Sequence, residues 1–159
     1  MERALLVFLV LACFLATPAA AAIASDSLAG TWQLDLERSD ERRQGRPLVD
    51  AEMTVEMVGD DVRATRSFAG GMSFTIDYVT DGKPHEVDTP IGSQKVRARW
   101  KKEKLFLSYS ISRDTPRGAF ELDVTETWTL KNGELNIGFS TRVGDRNLTR
   151  KEIWVRAAP

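Results

Sequence analysis

Two charged side chains fall on strand faces that are otherwise apolar. Glu126 stands two residues before Trp128, and Arg66 stands two residues before Phe68, in segments where apolar and polar residues alternate. Because successive strand residues point to opposite faces, each charge shares a face with apolar neighbours. A buried charge is costly unless it is paired and hydrogen-bonded. These two positions therefore indicate an internal polar cluster.

Two interpretations of that cluster stay open. Glu126 could pair with Arg66 or Arg150 and serve only to close the interior. Alternatively, a few convergent polar groups could fix the head group of an apolar ligand, as they do in many binding pockets. The candidate ligand-binding residues are then Glu126, Arg66, Arg150, Tyr109 and Trp128.

The sequence contains none of the common catalytic or metal-binding patterns. His85 is the only histidine, so no histidine pair exists, and there is no Gly-x-Ser-x-Gly elbow or phosphate-binding glycine loop. His85 lies beside a turn signal, which favours a surface position. We therefore predict no catalytic residue, metal or cofactor, although an isomerase-like enzyme that uses Glu126 and Tyr109 is a further alternative.

The charge balance argues against two classes of partner. The formal net charge is −1, so the electrostatics do not favour nucleic acid or an anionic membrane surface. Two basic runs are interpreted as solvated surface. They comprise Arg38, Arg42, Arg43 and Arg46 in one loop, and Lys95, Arg97, Arg99, Lys101, Lys102 and Lys104 on an outer strand face.

Short alternating segments must position these residues. Residues 25–156 predict about ten strands, with a long loop at 37–50 and a further loop at 113–118. Asp81-Gly82 and Asn132-Gly133 are strong signals for two-residue hairpins. Many short strands joined by hairpins favour an all-β, antiparallel up-and-down barrel of about eight to ten strands or a sandwich, and closure into a barrel removes exposed edges.

The first 24 residues predict a secretory signal peptide. An apolar run from Ala4 to Ala16 follows Arg3 and precedes small residues that suit cleavage after Ala22 or Ala24. The run is shorter than the roughly 20 residues that span a bilayer. Cys13, the only cysteine, lies inside it. We expect an exported, periplasmic or secreted protein, with no stable membrane anchor and one domain over residues 25–159.

Gly30-Thr31-Trp32 opens the strand region, and the segment around it resembles the start of lipocalins. Glu37-Arg38-Ser39-Asp40, Thr80-Asp81-Gly82-Lys83 and Glu126-Thr127-Trp128-Thr129-Leu130 extend the resemblance to small secreted bacterial lipocalin-like proteins. The resemblance implies a calycin-type barrel in which Trp32 plugs one end and a late arginine, Arg150 or Arg156, packs over it. It also implies a small apolar or amphipathic ligand in the interior. The alternative is a protein-interaction module with a filled barrel.

Overall fold

The computed structural model describes residues 28–40, 49–90, 92–115 and 118–158, whose regular elements are all β-strands. The strands are β1 (Gly30–Asp35), β2 (Ala51–Val58), β3 (Asp61–Phe68), β4 (Ser73–Tyr78), β5 (Asp81–Thr89), β6 (Gly92–Lys101), β7 (Lys104–Thr115), β8 (Gly118–Lys131), β9 (Glu134–Val143) and β10 (Arg146–Arg156). The predicted signal peptide with Cys13, and Arg42, Arg43 and Arg46, lie outside the described residues. Among the described residues, no helical segment has the length and apolar character needed to cross a membrane.

The ten strands form one antiparallel sheet that wraps into a nearly closed barrel. Its order is β4-β3-β2-β1-β10-β9-β8-β7-β6-β5, so the first strand pairs with the last. In that pairing Trp32 stands opposite Arg156. β4 and β5 are the two ends of the sheet and are not hydrogen-bonded neighbours. The predicted all-β up-and-down barrel is confirmed.

The up-and-down topology gives the barrel two different ends. The connections after β3, β5, β7 and β9 meet at one end, which we call the open end. The connections after the even-numbered strands, the start of β1 and the finish of β10 meet at the other, which we call the closed end.

Large side chains fill the interior towards the closed end. The indole rings of Trp32, Trp128 and Trp154 are all buried. Aliphatic side chains pack with them in one continuous core; the fully buried ones are Leu28, Met53, Leu105, Leu107, Leu135, Ile137, Val55 and Val62. Burial of this apolar surface is the main force that holds the barrel together.

Trp32 plugs the closed end, as the resemblance implies, and Arg156 is the arginine that covers it. The Arg156 guanidinium carbon lies 4.4 Å from the centroid of the Trp32 ring, and Nη1 donates a hydrogen bond of 3.0 Å to the Ala29 carbonyl. Gly30 has a φ of +136°, and a Cβ there would lie 2.3 Å from Arg156 Nη1. A larger residue two positions before the tryptophan would be strained because of the positive φ, and it would also displace the end of the Arg156 side chain.

The prediction of a two-residue hairpin at Asp81-Gly82 is wrong. Asp81 already begins β5 and faces Arg99 of β6, whereas the next registered pair joins Pro84 to Arg97. Gly82, with a φ of +76°, therefore lies within a bulge of β5. Both features favour a glycine with positive φ, so the dipeptide alone does not distinguish them.

The predicted loop at 113–118 is also wrong. β7 continues to Thr115 and β8 begins at Gly118, and their backbones pair as far as Thr115 opposite Gly118. A long ladder can extend through a polar segment because its backbone hydrogen bonds do not depend on the side chains. In contrast, the Asn132-Gly133 hairpin is confirmed, since Lys131 faces Glu134 and both turn residues have positive φ.

Candidate functional site

An interior cavity of about 290 Å³ lies towards the open end of the barrel. The cavity wall nearest the open end is apolar, and it comes mainly from β3, β4 and the connections at that end. Val49 and Met72 stand at the rim, with exposed fractions of 43% and 54%. The lining residues are Val49, Arg66, Phe68, Met72, Phe74, Ile76, Tyr78, Thr89, Pro90, Gln94, Val96, Tyr109, Ile111 and Glu126.

The Arg66 guanidinium forms part of the polar floor of this cavity. The alternation of β3 places the side chain inside, between the indole rings of Trp128 and Trp154, whose centroids lie 5.7 and 5.9 Å from its guanidinium carbon. Its Nη2 approaches Glu126 Oε2 at 3.6 Å, and the side chain is only 17% exposed. Nη2 is buried and has no hydrogen-bond partner among the described residues. An unsatisfied buried donor of this kind requires an explanation in the site itself.

The electrostatics keep Arg66 charged. Burial on its own lowers the pKa of the guanidinium, but the nearby carboxylates of Glu126 and Glu152 outweigh that effect and raise it above the ordinary value. Opposite charges within a few ångströms favour the ionised form in this way. Arg66 is therefore a permanent cation, with Glu126 as its nearest carboxylate.

Glu126 lies beside Arg66 and is bonded at both of its carboxylate oxygens. Oε1 accepts a hydrogen bond of 2.7 Å from the Tyr109 hydroxyl, and Oε2 accepts one of 2.9 Å from Trp128 Nε1. The side chain is buried, with 4% of the residue exposed. Two donors and a cation compensate the cost of removing this carboxylate from water.

Two phenol hydroxyls complete the floor. Burial, with the negative charge of Glu126, raises the pKa of both Tyr78 and Tyr109 well above the ordinary value of a phenol. Both therefore remain protonated and able to donate. The Tyr109 donor is committed to Glu126, whereas the Tyr78 hydroxyl makes no hydrogen bond to any residue that the structure describes; its ring packs edge-on against Trp128 with centroids 6.0 Å apart.

A second glutamate and tryptophan pair on β10 repeats the arrangement on β8. Glu152 is 3% exposed; its Oε1 accepts a bond of 2.6 Å from Arg150 Nη1, and its Oε2 accepts one of 3.3 Å from Trp154 Nε1. The Arg150 guanidinium carbon lies 3.7 Å from the centroid of the Phe139 ring. The partner of Arg150 is therefore Glu152 and not Glu126.

The five predicted ligand-binding residues divide into two groups in the structure. Arg66, Tyr109 and Glu126 line the cavity, whereas Trp128 and Arg150 do not. Trp128 contacts the Arg66 guanidinium through the face of its ring. The predicted pair of Glu126 with Arg66 is present. Sequence reasoning missed Tyr78 as a floor residue, although its place on the inward face of β4 was a usable signal.

Residues outside the barrel agree with the surface interpretation. His85 is partly exposed and pairs with Asp81 at 2.9 Å. A larger groove of about 540 Å³ runs over the outer face of β6 and β7, where Lys95, Arg97 and Arg99 are exposed. The exposed basic side chains of this groove agree with the solvated outer face that the sequence predicted.

Comparison with known proteins supports the fold. No protein-family model and no curated protein matches the chain. Among solved structures, zebrafish ileal bile acid-binding protein complexed with cholic acid matches at 14% identity and a TM-score of 0.63, covering 82% of this chain and 99% of its own. Secretory abundant heat soluble protein 4 from Ramazzottius varieornatus matches at 11% identity and 0.57, covering 82% and 94%.

The fatty-acid-binding protein from Manduca sexta matches at 11% identity and a TM-score of 0.50, covering 80% of this chain and 97% of its own. At these identities the likeness concerns the fold alone. The chain therefore has the nearly closed barrel fold of the calycin type, and the predicted resemblance is confirmed at that level.

Proposed function

We propose that the barrel binds one small apolar or amphipathic molecule in its interior cavity. The observation that carries this proposal is the combination of an apolar wall with an Arg66 guanidinium whose buried Nη2 has no hydrogen-bond partner among the described residues. Pockets that bind small molecules are mostly apolar and contain a few convergent polar groups. The volume of about 290 Å³ lies at the small end of the usual range, so the ligand is small.

The relatives in fold support this proposal by analogy. One of them is described as binding bile acid and another as binding fatty acid. The rival function, a filled barrel that only contacts other proteins, accounts for the closed half of the interior. It gives no reason for an apolar cavity with the unsatisfied Nη2 donor of Arg66 at its floor.

A titration with an apolar fluorescent dye tests the proposed function. We expect saturable, one-to-one binding that quenches tryptophan fluorescence, because Trp128 and Trp154 lie directly beneath the cavity floor. Ile76→Trp adds bulk to the cavity wall and should weaken binding by about tenfold or more. Thr75→Trp is the matched control, because Thr75 is exposed on the same strand and bonds to Thr65 on the outside. Equal binding by both variants would place the ligand outside the barrel.

We also propose that the chain is an exported, periplasmic or secreted member of the lipocalin-like proteins it resembles. The support is the apolar run before residue 17 and the small residues that follow it. Amino-terminal sequencing of protein purified from its own host should find a mature chain that begins near Ile23 or Ser25. Recovery of a lipid-modified Cys13 would contradict this.

A further inference from the structure

We infer that the cavity selects a ligand whose head group is an uncharged hydrogen-bond acceptor, such as the carbonyl of an ester or ketone, over a carboxylate. This inference rests on the proposed function, because it names the chemistry of the same cavity. It depends on two properties of the floor: which hydrogen-bonding groups are free, and how the charges are balanced.

The free groups of the floor are donors. The Arg66 guanidinium carries five N–H donors and makes no hydrogen bond to a residue that the structure describes. The Tyr78 hydroxyl is kept protonated by burial and the charge of Glu126, which raise its pKa, and it donates no hydrogen bond to a described residue. Each oxygen of Glu126 already accepts a hydrogen bond, from Tyr109 or from Trp128. A head group that reaches the floor therefore satisfies it best by accepting hydrogen bonds.

The charges of the floor are already balanced. Glu126 lies 3.6 Å from Arg66, and Glu152, which also raises the pKa of Arg66, has its own partner in Arg150 at 2.6 Å. These two arginines and two glutamates leave no net positive charge. A ligand carboxylate would lose its hydration without gaining a net positive partner, because the two glutamates offset the attraction of Arg66 and Arg150. An ammonium head group would be repelled by the positive charge of Arg66 at the floor.

Three ligands with the same chain length test this selection. Methyl decanoate, decanoate and decylamine are titrated at pH 7, with tryptophan quenching as the signal. We expect methyl decanoate to bind about tenfold more tightly than decanoate, and decylamine to bind more weakly than either. Because the ester is also the more apolar molecule, the ratio of ester to carboxylate affinity must be compared between variants.

Glu126→Gln supplies that comparison. The change removes one negative charge from the floor, so it should favour decanoate and reduce the affinity ratio by about tenfold. Glu86→Gln is the control, because it makes the same change of charge at an exposed position on β5, away from the cavity. That control should leave the ratio unchanged.

Tyr78→Phe provides a second, independent variant if Glu126→Gln unfolds. It retains the ring that packs on Trp128 and removes only the free donor, so methyl decanoate should bind about fivefold more weakly. The inference is overturned if decanoate binds wild-type protein as tightly as the ester does. It is also overturned if the ratio is the same in Glu126→Gln as in Glu86→Gln, or if Tyr78→Phe leaves ester binding unchanged. Failure of all three ligands to bind would instead overturn the proposed function.

Discussion

Replacing Glu126 with alanine should lower the free energy of unfolding by about 3–5 kcal/mol, because it leaves the buried Arg66 guanidinium without its nearest carboxylate. Tyr109 and Trp128 lose their hydrogen-bond acceptor in the same step. Domains of this size are stable by only about 5–15 kcal/mol in total. Urea denaturation of the wild type and the variant measures the difference, and the midpoint should fall clearly.

Two further variants identify the cause of that loss. Glu126→Gln keeps the shape, can accept from Trp128 and can donate to a reoriented Tyr109 hydroxyl, so it should cost less than alanine. Asp123→Ala removes an exposed carboxylate on the same strand, bonded to Ser110 at 2.8 Å, and should change stability by about 0.5 kcal/mol or less. If Glu126→Ala were as mild as Asp123→Ala, the pairing in the interior would not contribute to stability.

Strand alternation predicts which face a residue occupies but not which residues meet across the barrel. The inward positions of Glu126 and Arg66 follow from their neighbours in sequence. Their contact depends on β3 and β8 facing each other through the interior, which the closure of the sheet determines. For the same reason the sequence left Arg150 with two possible partners, Glu126 and Trp32. In the structure Arg150 pairs with Glu152 instead, and Arg156 is the arginine that contacts Trp32.

Turn signals are local and predict only local geometry. Asn132-Gly133 forms the predicted hairpin because the flanking residues Lys131 and Glu134 pair directly. Asp81-Gly82 has equally favourable turn residues, but β4 and β5 do not pair beside it, and the glycine lies in a bulge. Whether two strands pair is decided by the whole sheet, so the dipeptide predicts a positive φ and not the partner strand.

The sequence also left open whether the interior is filled or has room for a ligand. In the structure the interior is filled towards one end of the barrel and leaves a cavity towards the other. Tryptophans and aliphatic side chains pack towards the closed end, whereas the cavity lies towards the open end. Volume in an interior depends on the three-dimensional overlap of side chains from several strands, which no single strand pattern contains.

Replacing Trp32 with alanine should lower the free energy of unfolding by about 3–5 kcal/mol, as truncation of a fully buried tryptophan does. The Trp32 ring is 0% exposed, its Nε1 donates a bond of 3.0 Å to the Leu28 carbonyl, and Arg156 stacks on it. The change leaves a void at the closed end that the surrounding strands cannot fill. Thermal or denaturant unfolding measures the loss.

Trp100→Ala is the control for this last prediction. Trp100 also lies towards the closed end and donates a bond of 2.9 Å to the Asp60 carbonyl, but it is only partly buried. Its truncation should therefore cost less than that of Trp32. At a temperature where both variants are folded, each should bind the apolar dye within about twofold of wild type, because the cavity lies at the opposite end. Loss of binding by folded Trp32→Ala would show that the plug and the cavity floor are coupled, and the separation of a structural end from a binding end would then be wrong.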